Sequence, residues 1–153
     1  MMKQQRYEEL LPQIASLISG EKDVTSVLAN VAAALHHAFS DTFFWTGFYM
    51  VAEGELRLGP FQGPVACMHI AHGRGVCGTS WAEGQTLVVA DVEQFPGHIA
   101  CSSLSRSEIV VPLWRDDEVA GVLDIDSRQL AAFDQTDRHY LETLCAMIAS
   151  ELW

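Results

Sequence analysis

The 153-residue sequence predicts a single α+β domain spanning residues 1–153, an antiparallel sheet with helices packed mainly on one face. Three observations carry that prediction. The hydrophobic periods run helix, helix, hairpin, strand, short helix, strand, long loop, hairpin, helix, without the alternating βα units that a parallel sheet needs. Apolar residues make up 49% and charged residues 19%, the balance of a globular domain. No internal repeat, low-complexity tract or linker divides the chain, and a domain of this length buries about 68–70% of its unfolded surface without disulfides.

Two amphipathic helices come first. Tyr7, Leu10, Leu11, Ile14, Leu17 and Ile18 recur at helical spacing until Gly20, and Val24, Val27, Leu28, Val31, Leu35, Ala38 and Phe39 form a second stripe. The period then changes to that of strands: 43–51, rich in aromatics, a turn at Glu53 and Gly54, and 55–61. A third strand is expected over 65–70, a short helix near 76–83 and a buried strand over 86–90. The 17-residue polar stretch 91–107 is too long for a neutral turn and reads as a functional loop. Strands 108–114 and 119–125 form a hairpin. The last helix starts at Asp134, an N-cap with Asp137 at the third helical position, and its stripe is Leu141, Leu144, Cys145, Ile148 and Leu152.

A net charge of −11 argues against nucleic acid or an anionic membrane as partner, since both recruit clustered Lys and Arg. The first residues carry no signal-peptide pattern and no 18-residue apolar run occurs, so a soluble, cytoplasmic protein is expected. Four cysteines in such a chain are not a disulfide framework.

Gly73-Arg74-Gly75-Val76-Cys77-Gly78 matches the GxGxxG fingerprint of dinucleotide sites. The helix it opens is short and no second βα half follows, so the glycines read as a tight strand-to-helix turn. Cys145 lies on an apolar helical stripe and reads as a small buried hydrophobe. Cys67, Cys77 and Cys101 are separated by nine and 23 residues, which matches no CxxC zinc module. Unconnected thiols, a mixed site with His69, His72 and His98, and redox coupling all remain open on spacing alone. Cys101, inside the long loop near His98, is the best-placed nucleophile, because a reactive thiol needs access and a stabilised thiolate.

Asp124 and Asp126 share one face if both lie in a strand, and Glu108 starts the neighbouring strand. Such acids form either a solvated sheet end or a pocket for an ammonium group in which one acid is protonated. Trp45, Gly47 and Tyr49 also alternate onto one face; the glycine leaves either a slot between two aromatics or room for core packing.

Six blocks in order, Leu58-Gly59-Pro60-Phe61-Gln62-Gly63, Ala66-Cys67, Gly73 to Gly78, Gly97-His98-Ile99-Ala100-Cys101, Ser107-Glu108-Ile109-Val110-Val111-Pro112-Leu113 and Gly121-Val122-Leu123-Asp124-Ile125-Asp126-Ser127, resemble the free methionine-(R)-sulfoxide reductases. These are single-domain enzymes with a GAF fold, and the similarity covers nearly the whole chain. The resemblance implies that Cys101 attacks the sulfoxide sulfur, that Cys67 is the principal resolving cysteine and that Cys77 is a secondary one. It implies that Glu108, Asp124 and Asp126 hold the substrate and polarise the S=O bond, and that Trp45 and Tyr49 wall the methyl group. No cofactor and no metal are implied; thioredoxin is the expected reductant, and a homodimer is compatible because relatives often form one. A thiolate attack on sulfur needs a proton for the departing oxygen, which an acid of raised pKa supplies. The resulting sulfenic acid condenses with a second thiol. The alternative is a non-catalytic GAF module that binds a small ligand or senses oxidation, without turnover.

Overall fold

The computed structural model describes residues 1–98 and 104–153. Helices α1 (Lys3–Ile18) and α2 (Val24–Ala38) precede the hairpin β1 (Trp45–Ala52) and β2 (Glu55–Gln62). Strand β3 (His69–Ala71), helix α3 (Gly75–Glu83) and strand β4 (Leu87–Val89) follow. After a single 3-10 turn at Val92–Gln94 come the hairpin β5 (Ser107–Arg115) and β6 (Glu118–Ser127) and the helix α4 (Gln135–Leu152). The six strands form one sheet in the order β3-β2-β1-β6-β5-β4, with every neighbouring pair antiparallel. The expected α+β architecture is the one observed.

The two-residue period of the central strands divides the core. Phe48, Ile109, Val111, Leu113, Leu123 and Ile125 point to the face covered by α2 and α4, with α1 packed on those two helices, and Leu28, Leu35, Leu141, Leu144 and Cys145 meet them there. Trp45, Tyr49, Val110 and Val122 point to the opposite face, where the short helix α3 brings Val76 and Cys77. That second face is only partly roofed, and this leaves space for a cavity.

Local signals set the helix ends. Asp23 Oδ2 accepts from the Ser26 amide at 3.0 Å at the start of α2, and Asp134 Oδ1 accepts from the Thr136 amide at 2.9 Å at the start of α4. Asp137 does more than favour the helix dipole. Its fully buried carboxylate accepts from Tyr7 Oη at 2.6 Å and from Lys3 Nζ at 2.6 Å, tying α4 to α1.

Two expected strands are shorter than the sequence pattern suggests. Residues 65–68 lie outside any strand, and β3 is confined to His69–Ala71. The carbonyls of Pro64 and Cys67 accept instead from Trp45 Nε1 (3.0 Å) and Tyr49 Oη (2.9 Å), so side chains of β1 hold this segment as a strap across the sheet. The strand expected to be buried over 86–90 is the three-residue β4, half-buried because it sits at the sheet edge. The glycine-rich turn behaves as expected: a Cβ on Gly78 would lie 2.6 Å from the Ala71 carbonyl oxygen, so the turn closes only around a glycine.

Candidate active site

Strand register gathers the three acids. Glu108 on β5 pairs with Asp126 on β6, and Asp126 pairs on its other side with Trp45 of β1. Asp124, two residues along β6, pairs with Gly47. All three carboxyls therefore share the face away from the long helices. Glu108 and Asp124 are buried and Asp126 is half-buried.

Helix α3 lowers Cys77 onto this cluster. Its thiol donates to Glu108 Oε2 at 3.9 Å, and ligand atoms of Cys77, Glu108 and Asp124 lie within 4.8 Å of one another. Burial is the main force on every group here. It pushes Glu108 and Asp126 well above the carboxylate range, reinforced by the charge of Asp124 and by hydrogen bonds to it. Asp124 is also raised by burial, but hydrogen bonds from Glu108, Cys77 and Asp126 oppose the rise. The rise is thus held back at Asp124, while Glu108 and Asp126 are pushed toward the protonated form. Even so, its Oδ1 is buried with no hydrogen-bond partner.

The same burial and acids push the Cys77 thiol well up. A proton held on Glu108 or Asp126 lowers the charge that the three acids bring together. Among the described residues, His69 and His72 of the mixed Cys/His site left open by the sequence lie in other contacts. His69 bonds Glu55 at 2.5 Å on the surface, and His72 lies edge-on to Trp81.

Above the acids is a cavity of about 60 Å³. Glu108, Asp124, Asp126 and Cys77 form one side of its lining, Trp45 and Tyr49 another, and Val65 and Ala66 of the strap a third. Arg74 and His98 also line it, together with Gly75, Val76 and Ser105. Trp45 stacks on Phe61 (5.2 Å between centroids) and on Tyr49 (5.8 Å). The space over Gly47 is not an open slot: a Cβ there would lie 2.6 Å from Trp45 Cη2 and 2.4 Å from Phe61 Cβ. The glycine serves instead to seat the indole flat against β1.

Cys67, half-buried on the strap, is disulfide-bonded, while Cys77 and Cys145 are free. Cys101 lies outside the described residues. His98 and Ser105, on either side of 99–103, both line the cavity. Burial lowers the His98 pKa, with the charge of Asp124 opposing. Cys145 is packed in the helical core and its thiol is pushed far up by burial. The sequence reading missed Arg74, Val65 and Ala66. They carry no catalytic signature, and only the closure of the strap and of α3 over the sheet makes them lining.

A six-stranded antiparallel sheet carrying a partly roofed cavity, backed by long helices on its other face, defines the GAF class. The GAF domain family model matches residues 21–152, and the chain belongs to that family. Over 152 residues it is 42% identical to the free methionine-R-sulfoxide reductase of Escherichia coli strain K12, covering 99% of this chain and 92% of that one. It is 55% identical over 147 residues to GAF domain-containing protein A of Dictyostelium discoideum, covering 95% and 92%. The X-ray structure of the free methionine-R-sulfoxide reductase from Neisseria meningitidis in complex with its substrate matches with a TM-score of 0.96 and 54% identity, covering 99% of this chain and 90% of that one.

Proposed function

We propose that this protein reduces free methionine (R)-sulfoxide to methionine. The observation that carries the reading is the gathering of Glu108, Asp124 and Asp126 at one side of an aromatic-walled cavity, where burial pushes all three carboxyls up. The likeness to the reductases of Escherichia coli and Neisseria meningitidis supports the same substrate.

The nucleophile in this reading is Cys101. Two residues, Ile99 and Ala100, separate it in sequence from His98, which lines the cavity. Its thiolate attacks the sulfoxide sulfur while Glu108 or Asp126 donates a proton to the oxygen. Methionine leaves with the sulfur reduced by two electrons, and the cysteine is left as a sulfenic acid, oxidised by two. The thiol of Cys67 then displaces hydroxide, releasing water and forming a Cys67–Cys101 disulfide. Cys77 is the secondary resolving thiol; its high pKa makes it slow in that role.

A protein dithiol such as thioredoxin reopens the disulfide by exchange, which places the enzyme in a reducing cytoplasm. No helix among the described residues is long and apolar enough to cross a membrane. The deciding experiment is NADPH-coupled turnover with thioredoxin and thioredoxin reductase on the separated R and S epimers of free methionine sulfoxide. Turnover of the R epimer is expected; none with either epimer overturns the reading and favours a non-catalytic sensor.

A further inference from the structure

A disulfide needs an outside thiol to reopen it, and the disulfide-bonded Cys67 lies on the strap between β2 and β3. The inner side of the strap is held by the sheet. Trp45 and Tyr49 donate to the carbonyls of Pro64 and Cys67, and the Leu58 amide donates to the Met68 carbonyl at 3.0 Å. Its outer side is open. Val65 is 87% exposed and Met68 70%, and apart from the two N-terminal methionines no large apolar side chain among the described residues is barer. These two side chains bracket Cys67 in sequence. The amides and carbonyls of Val65 and Ala66 form no hydrogen bond with any described residue. The strap then runs into β3, the outermost strand, whose far edge no strand covers among the described residues. Charge marks the same stretch. The chain has 20 acidic residues, yet none falls between Leu56 and Ala82, where Arg57, His69, His72 and Arg74 lie. Glu53 and Glu55, just ahead of it, are bonded to Arg57 and His69.

We propose that the outer face of this strap is the docking surface for an acidic protein dithiol, which pairs an extended segment with the backbone at Val65 and Ala66 and covers Met68 with its apolar surface. The proposal rests on the reading of the protein as a methionine sulfoxide reductase and names where its electron donor lands. Open backbone beside bare apolar side chains suits an added strand: main-chain hydrogen bonds hold it and the side chains select it. A stretch without acids admits an acidic partner that a net charge of −11 elsewhere repels. Once docked, the first thiolate of the partner attacks Cys67 Sγ. The bond from Cys67 to its disulfide partner breaks, and the released sulfur leaves as a thiolate and takes up a proton. The second thiol of the docked protein then displaces Cys67 from the mixed disulfide. Two electrons have passed to this chain, and the donor departs as a disulfide. A small dithiol reaches the same sulfur without needing the surface around it.

The test crosses enzyme variants with two reductants, thioredoxin and dithiothreitol, on free methionine (R)-sulfoxide. Met68 is the residue to change, because its side chain is exposed and does not line the cavity. Wild type, Met68→Glu and Met68→Leu are compared, with circular dichroism melts for each. Met68→Glu is expected to raise KM for thioredoxin at least tenfold, while turnover with dithiothreitol stays within about twofold of wild type. Met68→Leu, which keeps the apolar surface, should retain the wild-type KM for thioredoxin. Thioredoxin whose second cysteine is replaced by serine should be trapped as a mixed disulfide, mapped by mass spectrometry to Cys67. An unchanged KM for thioredoxin in Met68→Glu, an equal loss with both reductants, or trapping on another cysteine overturns the docking surface while leaving the reductase reading intact. No turnover by wild type with dithiothreitol overturns the reductase reading and this proposal with it.

Discussion

The phenol of Tyr49, on β1, donates a 2.9 Å hydrogen bond to the carbonyl of Cys67, on the strap between β2 and β3. One residue thus walls the cavity with its ring and fixes the backbone of a disulfide-bonded cysteine with its hydroxyl. Trp45 does the same for Pro64. The aromatic pair chosen from the sequence as a wall is also the anchor of the segment that covers it.

Removing that hydroxyl in Tyr49→Phe leaves the Cys67 carbonyl without its partner, at a cost of about 1–3 kcal/mol if the oxygen stays dry. The variant is expected to close its disulfide more slowly. Urea unfolding and quenched-flow thiol alkylation check the two effects; unchanged closure with lowered stability would reduce the bond to a structural one.

Glu108 and Asp126 carry raised pKa values in the folded chain, chiefly through burial. Between about pH 4, where an unfolded carboxyl titrates, and those raised values, the native state binds more protons than the unfolded chain. Their contribution to stability is full below that window and is lost as pH rises through it. Glu108→Gln keeps a donor toward Asp124 without a titratable proton. It is expected to lower kcat/KM at least tenfold, about 1.4 kcal/mol in the barrier, and to raise Tm relative to wild type more at pH 8 than at pH 5. Steady-state kinetics and calorimetry at the two pH values decide; wild-type activity should also fall as the pH rises through the window.

Gly47→Ala would drive a methyl into Trp45 and Phe61. Overpacking of this kind costs about 1–3 kcal/mol, and the displaced indole should raise KM for methionine sulfoxide. A stable Gly47→Ala variant with unchanged KM would show that the ring position is not part of substrate binding.

The cysteines separate by step. Cys101→Ser is expected to abolish even one turnover, since a hydroxyl is a far weaker nucleophile. Cys67→Ser should still release one methionine per chain but sustain slow turnover with thioredoxin, through Cys77. Cys145→Ser should be silent in catalysis and lose some packing stability, because that side chain is buried in the helical core. Single-turnover methionine release and mass mapping of disulfides in oxidised protein make the distinction; a burst from Cys101→Ser would move the nucleophile elsewhere.

The sequence by itself determined what depends on periodicity and local chemistry. Helical spacing around Leu10 and Leu141, the alternation of Trp45, Gly47 and Tyr49, the Asp124–Asp126 pair and the Asp134 cap each act within a few residues, so their patterns are written along the chain. Only tertiary structure decided which neighbours those elements meet. The register of β5, β6 and β1 set Glu108 and Trp45 against Asp126, which turned solvated-looking acids into a buried, proton-holding cluster. The pull of Trp45 and Tyr49 on two carbonyls unmade the strand expected at 65–68, and the docking of α3 gave Arg74 its place at the cavity. Burial, dielectric and hydrogen-bond competition are properties of surroundings drawn from distant parts of the chain, and no local window of residues contains them.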